Sequence, residues 1–297
     1  MDRIHPLLDA HPYIRLFRGR TFVVKLSGAL LEERIRTEIA RDIALLHDVG
    51  IRIVVVHGGG PQLDSYCQKM DIPRQVVAGR RVTDLRTQEA ARMVFMGLLN
   101  TELVGALAAQ GVKAVGMTGG DGAVVTGVKR PARVVRDPST GEETKVDFGY
   151  VGDIHTVDRT LLDAVMEKGM VPVLAPLIGG PGGVLLNVNA DTIAARVAMA
   201  LQAEKLVLCT SVAGLLEDPA DPRRLVSYGD LDTVEELIGR GVVSGGMLPK
   251  VAAIGEALRG DVQRVHIIDG TRPHSLLMEI FTNEGVGTML VRKRDNG

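Results

Sequence analysis

An α/β fold with a mostly parallel sheet, covered by helices on both faces, is predicted by three observations. Short β-branched runs alternate along the chain with apolar stripes at three- and four-residue spacing. The strand-like runs are mostly apolar and do not alternate with polar residues, as a sheet buried on both sides requires. Glycines collect where a strand hands over to a helix, as in 54-VVVHGGGPQLD-64. With 297 residues and 45% hydrophobic content, the chain can bury one large domain or two lobes.

The elements follow in order. Thr21–Leu26 (TFVVKL) reads as a buried strand. Ile35, Ile39, Ile43 and Leu46 form the stripe of an amphipathic helix that Gly50 stops. Residues 51–56 are the next strand, and Pro61 suits the first turn of the helix after it. Met93, Met96, Leu99, Leu103 and Leu107 mark a long helix, and 113–117 returns to strand. From 123 to 157 short β-like pieces are broken by the polar link RDPSTGEE, which predicts a β-hairpin excursion. Alternation then resumes, with helices at 161–168, 190–201, 231–240, 247–259 and 274–281. The strands between them fall at 171–175, 205–210, 262–268 and 289–291.

Composition excludes several classes. A net charge of −1 gives no basic field for nucleic acid, and 3% aromatics with no Trp leave few base-stacking surfaces. The N-terminus carries charges inside its apolar stretch and does not read as a signal peptide. No apolar run approaches the roughly 20 residues of a membrane span, so no membrane partner is expected. The seven histidines show no metal-ligand spacing, and no metal site is expected. Cys67 and Cys209, with no CxxC, read as buried thiols in a reducing, cytoplasmic setting.

Ligands of open α/β sheets sit beyond the carboxyl ends of the strands. Glycines recur there: Gly28 after the first strand, Gly58–Gly60 after the second, and Gly119, Gly120 and Gly122 after the 113–117 strand. Each alone is compatible with a tight turn; together they suggest a phosphate cradle of backbone amides at helix N-termini. Neither GxxxxGK[ST] nor GxGxxG is present, which argues against P-loop and dinucleotide chemistry. Lys25, inside an apolar strand, is costly to bury without an anion, unless it snorkels to solvent. Lys250 sits in a helix's first turn, where a cation opposes the dipole and an anionic ligand would relieve it. Asn187, Asn189 and Asp191 alternate at the entry to an Ala-rich helix, with Asn189 as N-cap and Asp191 placed to hold lysines.

These motifs, with GRRVTD, FGYVGDI, VPVLAPLIGG, AEKLVLCTSVAGLLED, GGMLPKV and HIIDGTRPHSLLMEIFTNEGVGTML, resemble the N-acetylglutamate kinases of the amino acid kinase family along nearly the whole chain. The resemblance implies an open αβα sandwich with two lobes. An N-terminal helix would span 1–18, an acetylamino-acid lobe 19–200 and a nucleotide lobe 201–297. It implies ATP, with Mg²⁺ bound through the nucleotide, and phosphorylation of the side-chain carboxylate of N-acetyl-L-glutamate in arginine biosynthesis. Lys25 and Lys250 would flank the phosphoryl group and Asp191 would organise them. Gly59, Gly60, Arg81 and Asn187 would hold the acetylamino acid. Gly28, Thr210, Ser211, Gly214, Leu215, Gly245, Gly246 and Met247 would serve the nucleotide. It further implies feedback inhibition by L-arginine through Lys205, His266, Glu279 and Gly287, and a homo-oligomer, a hexamer linked by the N-terminal helix.

Three positions depart from the family pattern. Ser27 replaces the first glycine of KxGG, Thr101 stands where a lysine commonly follows the asparagine, and Ser211 replaces an aspartate near the nucleotide. Ser27 brings a Cβ to a site of close approach, although its hydroxyl is a candidate phosphate donor. Two rival readings remain: an arginine-sensing, kinase-like regulator with weak or no activity, and a sister kinase for N-acetyl-aminoadipate. One methylene is worth only about 1–3 kcal/mol of discrimination between those two substrates.

Overall fold

The computed structural model describes residues 5–77, 80–136, 143–218, 220–221, 223–243 and 247–293. Helices run α1 His5–Phe17, α2 Glu33–Asp48, α3 Gly60–Lys69, α4 Leu85–Arg92, α5 Thr101–Ala108, α6 Thr160–Glu167, α7 Ala190–Ala200, α8 Leu231–Gly239, α9 Met247–Arg259 and α10 Ser275–Phe281. Strands run β1 Thr21–Leu26, β2 Arg52–His57, β3 Val76–Val77, β4 Arg80–Arg81, β5 Ala114–Met117, β6 Val125–Lys129, β7 Arg133–Arg136 and β8 Glu143–Val146. They continue with β9 Gly152–Val157, β10 Val171–Leu174, β11 Leu177–Gly179, β12 Leu185–Asn187, β13 Lys205–Thr210, β14 Tyr228–Gly229, β15 Arg264–Asp269 and β16 Thr288–Leu290.

Eight strands form the main sheet in the order β14-β16-β15-β13-β1-β2-β10-β5. Only the β15–β16 pairing is antiparallel. One sheet therefore crosses the 200/201 boundary expected between lobes, because β1 pairs directly with β13. Side chains alternate across a strand, and a separate apolar core lies on each face. Val23, Val54, Val56, Leu206 and Leu208 pack on one side with Ile193 and Val197 of α7 and Ile254 of α9. Phe22, Val24, Leu26, Ile53, Val55 and Val207 pack on the other with Ile39 and Ile43 of α2 and Leu99 and Leu103. The same alternation sends Lys25 toward α7 and His57 toward the opposite core.

Several expectations change. The 93–107 helix exists, but α4 and α5 are joined by a π-helical segment, Met93–Asn100. The wider turn rotates the apolar face: Val94, Phe95 and Leu99 are buried while Met93 is exposed. The continuous Leu85–Ala108 helix is, by length and composition alone, apolar enough to cross a membrane, against the sequence expectation. Here its apolar residues Val94, Phe95, Leu99, Leu103 and Leu107 lie in the core.

The 123–157 excursion is two hairpins rather than one. β6 pairs with β9 and β7 with β8, and the tip of the polar link, 137–142, lies outside the described residues. β6 also joins β11 and β12 in a second, four-stranded sheet that the sequence did not reveal. The third glycine cluster packs at this junction and does not line the cleft that Gly28 and Gly58–Gly60 border. A Cβ on Gly119 would meet Val125 at 2.8 Å, and one on Gly120 would meet Leu185 at 2.7 Å. Asp121 closes the turn by accepting from the Thr118 amide at 2.6 Å and hydroxyl at 2.8 Å.

Candidate active site

Lys25 leaves β1 on the α7 face, and Asn189 starts α7 by accepting the Asp191 amide at 2.7 Å. That cap fixes Asp191 in the first turn, within 2.8 Å of the Lys25 ammonium. α9 packs along α7 and brings in Lys250, 3.1 and 3.2 Å from the two Asp191 oxygens. Two lysines 225 positions apart in sequence thus share one carboxylate, and all three residues are under 10% exposed. Burial alone would raise the Asp191 pKa, but the charges of Lys25 and then Lys250 outweigh it and hold the carboxyl below its usual range. Lys250 is pushed down, first by burial and then by the Lys25 charge, against the pull of Asp191. Two ammonium groups against one carboxylate leave an excess of positive charge, which suits a phosphate.

The triad borders a cleft of about 510 Å³ that Gly28, Gly58, Gly59, Gly60, Arg81 and Asn187 also line. The two glycine loops lie against each other: a Cβ on Gly28 would fall 3.1 Å from the Gly59 Cα. Gly59 caps α3 and is pressed on the π-helical segment, where a Cβ would come within 2.5 Å of Leu99 and 2.9 Å of Phe95. Gly60 opens α3 with free space around its missing Cβ. The first amides of a helix have no partner within it and are available to an anion. Arg81 enters the cleft paired with Asp64, which also holds Arg74 at 3.0 Å. Asn187 donates to the Thr83 hydroxyl at 3.3 Å.

Of the residues expected at the nucleotide, Gly214, Leu215 and Met247 share an apolar slot of about 180 Å³ with Val212, Leu216, Val242 and Val243. Thr210 and Ser211 stand at the carboxyl end of β13, beside the end of β1. Gly245 and Gly246 lie outside the described residues. The Ser27 hydroxyl is buried and has no hydrogen-bond partner among the described residues, which leaves its proton uncommitted within the fold. Thr101 turns back to the Gly97 and Leu98 carbonyls of its own helix, at 2.6 and 2.9 Å.

Lys205, His266, Glu279 and Gly287 form a second cluster, as expected. His266 is 2.9 Å from Lys205 through Nε2 and 2.6 Å from Glu279 through Nδ1. The other Glu279 oxygen accepts the amides of Val286 and Gly287 at 2.8 and 3.1 Å. Burial, followed by the Arg264 charge, lowers Lys205 to about 8, and burial brings His266 to about 4. A cavity of about 350 Å³ opens here, and Tyr13 and Phe17 of α1 close one side.

Sequence reasoning passed over Gln62, whose amide donates to the Gly28 carbonyl at 2.7 Å, and Asn100, which lies 3.2 Å from His57. The polar residues inside PQLD and GLLN were the available signals.

Residues 20–269 match the amino acid kinase family. The acetylglutamate kinase of Symbiobacterium thermophilum is 48% identical over 294 residues, 98% of both chains. That of Myxococcus xanthus is 46% identical over 293 residues, 98% of this chain and 95% of the other. Among solved structures, N-acetylglutamate synthase from Neisseria gonorrhoeae, complexed with coenzyme A and L-arginine, aligns with a TM-score of 0.81 at 28% identity. The match covers 98% of this chain, which spans 66% of that longer one. Carbamate kinase from Giardia lamblia bound to AMP-PNP has a TM-score of 0.65 at 16% identity over 93% of this chain and 99% of its own, a likeness of fold alone. The chain belongs to the amino acid kinase family, among its acetylglutamate kinases.

Proposed function

We propose that this chain transfers the γ-phosphoryl group of ATP to the side-chain carboxylate of N-acetyl-L-glutamate, giving N-acetyl-L-glutamyl 5-phosphate for arginine biosynthesis. The observation that carries this reading is the pair of buried lysines joined by Asp191 at the edge of a glycine-lined cleft. The acceptor carboxylate, with a pKa of about 4.3, is already ionised at neutral pH and needs no general base. One P–O bond to ADP breaks as one to the carboxylate forms, and no proton moves. Catalysis is then alignment and charge stabilisation. Lys25 and Lys250 counter the equatorial and leaving oxygens, and Asp191 keeps the two ammonium groups in register. The Gly59 and Gly60 amides take phosphoryl oxygens, Arg81 holds the α-carboxylate and Asn187 the acetylamino group. Gly28 and the slot at Gly214, Leu215 and Met247 take the nucleotide. Mg²⁺, carried on the nucleotide phosphates, supplies further charge neutralisation.

The cluster at Lys205, His266, Glu279 and Gly287 is read as an L-arginine effector site, with its buried carboxylate available to a guanidinium or an α-ammonium group. Support comes from the cavity that α1 walls on one side and from the related synthase whose structure holds L-arginine. α1 leaves Leu8 and Leu16 exposed, which favours its use as the contact of a homo-oligomer, taken as a hexamer. Two buried free thiols suit a cytoplasmic location. ADP release should require N-acetyl-L-glutamate and exceed that with N-acetyl-aminoadipate by about tenfold or more. A higher kcat/KM for the longer substrate would assign the sister activity, and no turnover with either would leave the sensor reading.

A further inference from the structure

We propose that His57, fixed in one tautomer by Asn100, is a positioning residue that turns the Gly59 amide into the cleft. This rests on the reading of that cleft as the phosphoryl-transfer site. His57 is fully buried at the end of β2, on the sheet face opposite Lys25. Its Nδ1 is 2.8 Å from the Gly58 carbonyl, which can only accept, so Nδ1 carries the proton. Its Nε2 is 3.2 Å from the Asn100 side-chain nitrogen. That nitrogen also lies 2.9 Å from the Val173 carbonyl, another pure acceptor, so the Asn100 NH₂ must face this side and Nε2 must accept. A second ring proton would meet a donor, and burial lowers the His57 pKa to about 4.

The consequence lies in the peptide plane. In a trans peptide the carbonyl of Gly58 and the N–H of Gly59 point in opposite directions. With the carbonyl drawn to His57, beside the π-helical segment, the Gly59 N–H is turned away from that core. The π-helical segment supplies the parts: Asn100 ends it, and its Phe95 and Leu99 form the floor on which Gly59 rests. Gly116 of β5 leaves the room that the Asn100 side chain occupies. π-Helical turns are concentrated at functional sites, and this one places an amide side chain where a regular helix would turn it elsewhere.

Three variants separate positioning from packing. The amide nitrogen of an asparagine sits as far from Cβ as Nδ1 does, and that of a glutamine as far as Nε2. His57→Asn should keep the donor to Gly58 and retain kcat within about tenfold. His57→Gln and His57→Leu should lose about 100-fold in kcat, as for a displaced oxyanion donor, with KM for N-acetyl-L-glutamate changed by less than about threefold. If Gln and Leu, closer to histidine in volume, were better tolerated than Asn, packing would be the role and the proposal would fall. Because these variants are buried, the tautomer is also read directly by ¹⁵N NMR of histidine-labelled wild-type protein. Protonated Nδ1 and bare Nε2 down to about pH 5 are expected. The opposite tautomer or a charged ring overturns the proposal. Absence of wild-type turnover would refute the kinase reading while leaving the tautomer result standing.

Discussion

Asp191 accepts both ammonium groups, and all three side chains are less than one-tenth exposed at the cleft wall. A buried carboxylate is costly alone and stable when paired, so the lysines and the aspartate are mutually dependent. The buried histidines behave in the opposite sense. His57 and His266 have pKa values near 4 when folded, against 6.5 for the free side chain. Between those values the unfolded chain binds more protons, so stability rises with pH and is lost on acidification from about 6.5 to about 4. Urea unfolding at about pH 5 should give a lower free energy than at about pH 7, by about 2 kcal/mol for each such histidine. His57→Asn should abolish its share of the slope; an unchanged slope would mean that the ring is not neutral in the folded state. Asp191 adds nothing in this window, because its depressed pKa moves its loss of stability below 3.8.

At the scale of elements, the glycine loops show what a sequence can and cannot disclose. β1, β2 and β13 were legible because every residue in them is apolar or is Lys25, His57, Lys205, Cys209, Arg52 or a threonine. The short strands β3, β4, β11, β12 and β14 were not, since two or three residues carry no period, and pairing partners define them. The π-helical segment left no periodic trace, because one widened turn alters a stripe by a single step. Gly119 and Gly120 looked like Gly58–Gly60 because close packing and ligand approach select the same residue. Space distinguishes these roles within the true site. Gly59→Ala should cost about 1–3 kcal/mol, since its Cβ would strike Leu99 and Phe95. Gly60→Ala should leave the melting temperature unchanged or raise it, since its Cβ meets nothing and alanine favours the helix, while turnover falls. Calorimetry of both variants checks this; equal destabilisation would mean that Gly60 is also a packing residue.

For the whole molecule, one sheet joins what the family pattern divides into lobes, and α1 is fastened to its far side. Phe17 packs edge-on to Phe22 at 5.2 Å and lies under the Lys205 ammonium at 5.1 Å. The Tyr13 hydroxyl bonds to Asn283 in the loop before β16. Removing residues 1–18 should therefore strip one wall from the second cavity. Light scattering should show a smaller assembly, and arginine inhibition should disappear while basal turnover persists. A full-length dimer indifferent to arginine would reject both effector and hexamer.

The candidate site was legible where charge is improbable, at Lys25 in a strand and Lys250 in a first helical turn. It was illegible where function is indirect, at Gln62 and Asn100. Its centre is the meeting of Lys25 and Lys250 on Asp191. The most direct measurement is kcat for ADP release with saturating ATP and N-acetyl-L-glutamate in Lys25→Ala and Lys250→Ala, each shown to be folded by circular dichroism. A loss of at least about 100-fold in both is predicted, and near-normal turnover in either folded variant would contradict the account.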